Sequence, residues 1–92
     1  MATGSRIESQ RAFVRRAAST GAAQRARKKA GIGLSEAARG LKVSESTLYR
    51  WEHDITVPTH GENLRGFARF LQQVHADQDP EMHKGSRAAK TA

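Results

Sequence analysis

The chain has 92 residues, contains no cysteine and carries a formal net charge of +7 at pH 7. A domain of this size buries only a modest core, which leaves room for a binding module but hardly for an elaborate active site. The basic excess favours a polyanionic partner, because neutralising phosphates releases condensed counterions, although a membrane surface would attract the same charge. Without cysteine there are neither disulfides nor thiolate metal sites, and the four histidines lack the spacing of a metal-binding pair.

The sequence contains no signal for membrane insertion or catalysis. No apolar run approaches the roughly 20 residues that span a bilayer, and the first residues, MATGSRIESQ, lack the apolar core of a signal peptide. Paired carboxylates, a nucleophile–base motif and a glycine-rich phosphate loop are all missing. We therefore expect a cytoplasmic protein that is not an enzyme, has no cofactor or metal, and binds neither a membrane nor a small-molecule ligand.

Residues 1–19 are predicted to form an N-terminal arm with one extra helix. The first seven residues are small and polar and are expected to be disordered, whereas residues 8–18 contain good helix formers. An apolar strip runs along this helix and consists of Phe13, Val14 and Ala17.

The same helix carries three basic side chains, Arg11, Arg15 and Arg16. They could reach the phosphates of a DNA backbone. A run of charge on a short helix is more often a solvated face, so both interpretations stay open at this point.

Residues 20–76 are predicted to form a helical domain that begins with the segment AAQRARKKA. Thr20 can cap this helix, and Gly31 can end it in the left-handed conformation. The next helix follows Gly33. Its apolar residues recur at the i, i+3, i+4 and i+7 positions of one face and are Leu34, Ala37, Ala38 and Leu41.

A tight turn joins this helix to another one. Ser44 can cap the new helix by accepting a hydrogen bond from the backbone of Ser46 or Thr47. The residues that point inward from it are Leu48 and Trp51. Two short helices that meet at a fixed turn over residues 33–54 are typical of a helix-turn-helix, although periodicity alone also fits two helices of a plain bundle.

The last predicted helix begins near Thr59, which forms a capping-box pattern with Glu62. Its core-facing stripe consists of Leu64, Phe67, Ala68, Leu71 and Val74. Phe70 lies off this stripe. Residues 77–92 are polar and lack an apolar face, so they are assigned to a flexible basic tail.

The stretch AGIGLSEAARGLKVSESTLYRWEHDITVPTHGENLRGFARFL resembles the lambda-repressor-like DNA-binding domain shared by phage repressors, Cro proteins and many small bacterial regulators. The resemblance extends roughly from Gly21 to Val74. It implies an all-α bundle of five to six helices that contains a helix-turn-helix, with the N-terminal helix as an addition. It also implies that a double-stranded DNA operator is the partner and that the helix of residues 44–53 enters its major groove.

The resemblance and the outward positions of this helix together indicate four base-reading residues: Glu45, Ser46, Thr47 and Arg50. The planar fork of Arg50 can bond both O6 and N7 of guanine. Glu45 can accept a hydrogen bond from cytosine N4 or stabilise the helix N-terminus, and both roles are open. The residues expected to contact the DNA backbone are Leu34, Ser35, Lys42, Tyr49, His53, Thr56 and Thr59.

Two structural features also follow from the resemblance. Arg27 matches an arginine that pairs with a glutamate at the end of the third helix of the family, here Glu52, so a structural ion pair is expected. Lys42 occupies a turn position that often carries glycine in the family, and left-handed backbone costs a larger residue on the order of 1 kcal/mol.

The favoured function is a sequence-specific repressor of the phage Cro or immunity-repressor type. An antitoxin of a toxin–antitoxin module is an alternative, because it can be a single domain of this size. An excisionase or mercury-regulator-type protein shares the pattern SEAARGLKVSESTLYRW but needs a β-wing after Trp51, where the sequence has a helical period. A basic module that binds nucleic acid without sequence preference is a further alternative.

One recognition helix reads only a few base pairs, so binding as a symmetric pair on two half-sites is expected. Phe70 has two possible fates in this context. It meets its symmetry mate in a weak homodimer, or Phe13 and Val14 of the N-terminal helix cover it within one monomer. The homodimer is the preferred interpretation.

Overall fold

The computed structural model describes residues 2–59 and 61–82, with side chains described from Ser9 onward. Its five α-helices are α1 (Ala2–Ser19), α2 (Ala22–Lys29), α3 (Leu34–Leu41), α4 (Glu45–Glu52) and α5 (Gly61–Gln73). A short 3-10 helix, Ala76–Gln78, comes last. The described ranges contain no strand, and the expected all-α class is confirmed. No helix within them has the length and apolar character that crossing a membrane requires.

Helix α1 is longer than the sequence predicts, because it begins at Ala2 rather than near Glu8. Residues 2–7 contain no proline, and extending an existing helix costs far less than nucleating one. The helix packs through Val14, Ala17 and Ala18, all of them buried. It contacts α2, α4 and α5, so the addition to the minimal domain is part of its core.

The corner between α1 and α2 is closed by Thr20 and Gly21. Gly21 has φ 82° and is the residue that caps α2, in place of the predicted Thr20. The Thr20 hydroxyl still accepts a hydrogen bond from the Ala22 backbone at 3.3 Å and donates one to the Arg16 carbonyl at 2.7 Å. Beyond this corner, α2 buries three alanines, Ala22, Ala23 and Ala26, and their small size lets neighbouring helices approach closely.

The joint between α3 and α4 follows from three residues. Gly33 precedes α3 with extended backbone and no side-chain cap, as its lack of a side chain requires. Lys42 ends α3 in the left-handed conformation with φ 61°. Ser44 caps α4, since its hydroxyl accepts a hydrogen bond from the Thr47 backbone at 3.1 Å. These local conformations fix the angle between α3 and α4.

The core contains buried residues of all five helices. Trp51 packs against Phe67 with ring centroids 5.1 Å apart, and Leu48 is fully buried beside them. The stripe predicted for α5 faces this core, because Leu64, Phe67, Ala68, Leu71 and Val74 are all buried. Helix α5 also occupies the sequence that a winged-helix protein would need for its β-wing.

Residues 77–82 are packed against the domain, whereas the sequence places them in a flexible tail. Asp79 forms a salt bridge with Arg25 at 2.9 Å, and residues 80–82 are helical. Met82 is buried, with its sulfur 3.8 Å from the Thr20 hydroxyl. The prediction missed these contacts because a single ion pair and a single apolar side chain leave no periodic pattern. The rest of the predicted tail, residues 83–92, lies outside the described residues.

Candidate nucleic-acid interface

Helix α4 has one polar, solvent-exposed side and one buried side. The exposed residues are Glu45, Ser46, Tyr49 and Arg50. The buried residues are Leu48, Trp51 and Glu52. Because the buried side is fixed to the core, the polar side is presented as a rigid surface to a partner.

Thr47 differs from its predicted neighbours because its side chain belongs to the helix cap. The Ser44 hydroxyl donates a hydrogen bond to the Thr47 hydroxyl oxygen at 2.9 Å while accepting one from the Thr47 backbone. The Thr47 side chain is therefore held in one position and is half-buried. It still has a free hydroxyl hydrogen and a methyl group with which to contact DNA.

Tyr49 and His53 stack on each other at the C-terminal half of α4. Their ring centroids are 3.9 Å apart and the ring planes differ by 22°. His53 Nδ1 lies 2.9 Å from the Tyr49 carbonyl oxygen, which can only accept, so this nitrogen carries the proton. The stack restrains two residues predicted as backbone contacts. The sequence signal for this contact is the four-residue spacing of Tyr49 and His53, which places them on the same side of a helix.

The loop after α4 is fixed by backbone hydrogen bonds. Asp54 is left-handed with φ 58°, and the Ile55 N–H donates to the Arg50 carbonyl at 2.9 Å. This is the bonding pattern that ends a helix with a left-handed residue. It leaves Ile55 61% exposed and places Thr56 beside the end of α4, also exposed.

The N-terminus of α3 offers backbone donors. The first N–H groups of a helix have no partner within it, and the Gly33 cap contributes no side-chain acceptor for them. Ser35 is exposed, whereas the Leu34 side chain packs against the core, so Leu34 can contact a phosphate only through its backbone. Lys42, at the other end of α3, and Thr59, before α5, are both exposed.

Arg27 and Glu52 form a buried, two-pronged ion pair. Arg27 Nε donates to one Glu52 oxygen at 2.6 Å and Nη2 donates to the other at 3.0 Å. Nη1 donates to the Ile32 carbonyl at 2.9 Å, a contact that the sequence did not indicate. The guanidinium group thereby joins α2, the segment before α3, and the last residue of α4.

Phe70 lies in an open groove between α3 and α5. The apolar walls of this groove are provided by Ile32, Leu41 and Trp51, and Phe70 itself is half-buried. Neither Phe13 nor Val14 is among the described residues that line it. The groove side of Phe70 is therefore open to a partner, whereas Val14 is used in the core.

Comparison with protein-family models gives one match. The model described as helix-turn-helix covers residues 24–78, which include α2 from its third residue onward, all of α3, α4 and α5, and the short 3-10 helix. Comparisons with curated proteins and with solved structures gave no match. The matched range excludes α1, in agreement with its being an addition to the domain.

Proposed function

The chain belongs to the Cro/C1-type helix-turn-helix family of DNA-binding transcriptional regulators, and we propose that it is a sequence-specific repressor of the phage Cro or immunity-repressor type. In this proposal residues 44–53 enter the major groove of an operator. Repression requires only that the bound protein excludes polymerase.

The exposed side of α4 is the observation that supports the proposal most. Four polar residues lie on a helix whose opposite side carries Leu48, Trp51 and the Arg27–Glu52 ion pair. A helix held in this way can place side chains against base edges with little loss of conformational entropy on binding.

Arg50 is proposed as the principal base-reading residue, because it is exposed and its guanidinium can bond O6 and N7 of guanine. Glu45 would accept from cytosine N4 at the first helical position. Ser46 and Thr47 would contact bases or nearby phosphates through their hydroxyl and methyl groups.

The phosphate contacts are proposed to lie around the ends of α3 and α4. The free N–H groups at Leu34 and Ser35 suit one phosphate, as helix N-termini generally do. The remaining contacts would come from exposed side chains: Lys42, Tyr49, His53, Thr56 and Thr59.

Symmetric pairing is part of the proposal, because one α4 reads too few base pairs to discriminate a genomic site. The open groove at Phe70 is the proposed contact between two copies. Its rim carries both signs of charge, with Glu36 and Glu62 beside Arg65 and Arg69, so acidic residues of one copy can pair with basic residues of the other across a two-fold axis.

The test is selection of genomic fragments by the purified protein at physiological salt, followed by affinity measurement on a selected fragment and on random duplex DNA. Arg50→Ala should lower affinity for the selected fragment by about 1–3 kcal/mol and leave random DNA nearly unchanged. Lys28→Ala, an exposed change on α2, is the control. Equal weakening on both DNAs by Arg50→Ala would reduce Arg50 to a phosphate contact, and absence of any selected fragment would overturn sequence-specific binding.

A further inference from the structure

We propose that Arg11 and Arg15 of α1 form a second DNA-contacting surface, which binds the phosphate backbone of the duplex without reading sequence. The inference rests on the proposed insertion of α4 into the major groove and extends the interface to a helix outside the family match. We call this pair the α1 arginine surface.

Helix α1 has an excess of positive charge. The helix contains one acidic residue, Glu8, and four arginines: Arg6, Arg11, Arg15 and Arg16. Arg11 and Arg15 are four residues apart, so they lie on the same side of the helix. Both are exposed, and neither forms a salt bridge with any described side chain.

Packing does not account for these two arginines. Helix α1 docks through Val14, Ala17 and Ala18, which are buried alanine and valine side chains. By contrast, the two arginines of α2 are both used in the fold, Arg25 with Asp79 and Arg27 with Glu52. Arg11 and Arg15 therefore have no structural partner among the described residues.

Helix α1 is a direct neighbour of α4. Helix α1 contacts α4 directly, and α4 is the element proposed to lie between the two phosphate backbones that border the major groove. At physiological salt electrostatic attraction extends about 8 Å, and an arginine side chain adds its own reach to that distance. The proposal places the guanidinium groups of the α1 arginine surface within this distance of one phosphate strand.

The length of α1 adds to this effect. Its 18 residues span about 27 Å, whereas the eight residues of α4 span about 12 Å. A long helix that carries Arg11 and Arg15 beside a short recognition helix widens the cationic surface beyond the edge of the minimal domain. The expected consequence is a larger number of released counterions, with no change in base preference.

The experiment measures binding of the full chain to a random-sequence duplex of about 30 base pairs between about 50 and 200 mM salt. The test variant is Arg11→Gln with Arg15→Gln. Losing two phosphate contacts should make the slope of log affinity against log salt shallower by about 1.8, so the salt-induced loss over this range becomes roughly tenfold smaller.

Two matched variants decide the interpretation. Arg11→Lys with Arg15→Lys keeps the charge and should keep the wild-type slope. Lys28→Gln with Lys29→Gln removes the same charge from exposed positions of α2 and should change the slope by much less. Thermal melts of the two α1 variants should match the wild type, because Arg11 and Arg15 are exposed.

The proposal is overturned if the slope of log affinity against log salt in the glutamine variant of α1 equals that of the wild type. It is also overturned if the α2 variant changes the slope by the same amount, because the effect would then come from net charge alone. Failure of the proposed function looks different. In that case the wild-type chain selects no fragment and Arg50→Ala has no effect on specificity, whatever the slope on random DNA.

Discussion

Arg27 and Glu52 lie 25 residues apart in sequence, yet their side chains meet at a point that water scarcely reaches, with side-chain exposures of 6% and 1%. All described buried side-chain nitrogens and oxygens have hydrogen-bond partners, so this pair is fully satisfied. The pair joins the first helix of the family domain to the end of the recognition helix. Its removal should therefore affect both stability and the position of α4.

Glu52→Ala is expected to destabilise the fold by about 3–5 kcal/mol, because it leaves the Arg27 charge buried without a counter-charge. The measurement is thermal or denaturant unfolding of the variant beside the wild type. Arg27→Met combined with Glu52→Leu is the control, since removing both charges should cost much less than removing one. An unchanged melting temperature in Glu52→Ala would contradict a stabilising role.

Lys42→Gly is expected to have opposite effects on folding and on DNA binding. Relief of the left-handed backbone at φ 61° should raise stability by up to about 1 kcal/mol. Loss of the ammonium group should weaken binding to any duplex, because Lys42 is proposed as a phosphate contact. Lys42→Ala separates the two effects: it should weaken binding without the gain in stability. A loss of stability in the glycine variant would argue against strain at this position.

Asp79 provides a prediction for the pH dependence of stability. Hydrogen bonding from Arg25 lowers the pKa of Asp79, and the hydrogen bond from the Glu81 backbone acts in the same direction. A carboxylate whose pKa is lower in the folded state stabilises the fold at pH values above its unfolded-state pKa. This contribution disappears as the pH falls through the folded-state pKa. Asp79→Asn should thus be less stable than the wild type near pH 7, with the difference shrinking below about pH 4.

Thermal melts across that pH range test the Asp79 prediction. The control is Asp77→Asn on the neighbouring 3-10 helix, whose exposed side chain should be dispensable at both ends of the range. A difference between Asp79→Asn and the wild type that stays constant down to pH 3 would mean that the carboxylate charge is not its source.

Phe70→Glu tests the proposed contact between two copies, because it places a charge in the groove between α3 and α5. Sedimentation should show loss of self-association, and operator binding should lose affinity and its two-to-one stoichiometry. Gln72→Glu adds the same charge at an exposed position of α5 outside the groove and should do neither. Survival of both stoichiometry and affinity in Phe70→Glu, in a chain that still melts cooperatively, would rule out pairing through this residue.

The elements with local signals could be predicted from the sequence. Ser44 has the chemistry of a cap, and the structure has its hydroxyl on the Thr47 backbone. The core stripe of α5 follows from spacing alone. Arg27 and Glu52, by contrast, could be paired only through family resemblance, because no periodic rule connects residues that lie on different helices.

The features that the sequence did not predict depend on tertiary contacts or on one residue. Arg25 and Asp79 are 54 positions apart, so their ion pair has no local signature. Met82 is an isolated apolar residue in a polar segment, and it is buried because it joins the hydrophobic core of the helices that precede it. Helix α1 starts at Ala2 because the helix predicted for residues 8–18 extends toward the N-terminus, and the composition of residues 2–7 does not indicate this extension.

The contact between Trp51 and Phe67 gives the protein a built-in optical reporter. The chain has one tryptophan, and its indole is 4% exposed at the place where α4 meets α5. An indole moved from this apolar site into water shifts its emission to longer wavelength. Fluorescence excited at the tryptophan band therefore needs no label, and it reports both on the packing of α4 against the core and on the groove at Phe70, whose wall includes Trp51.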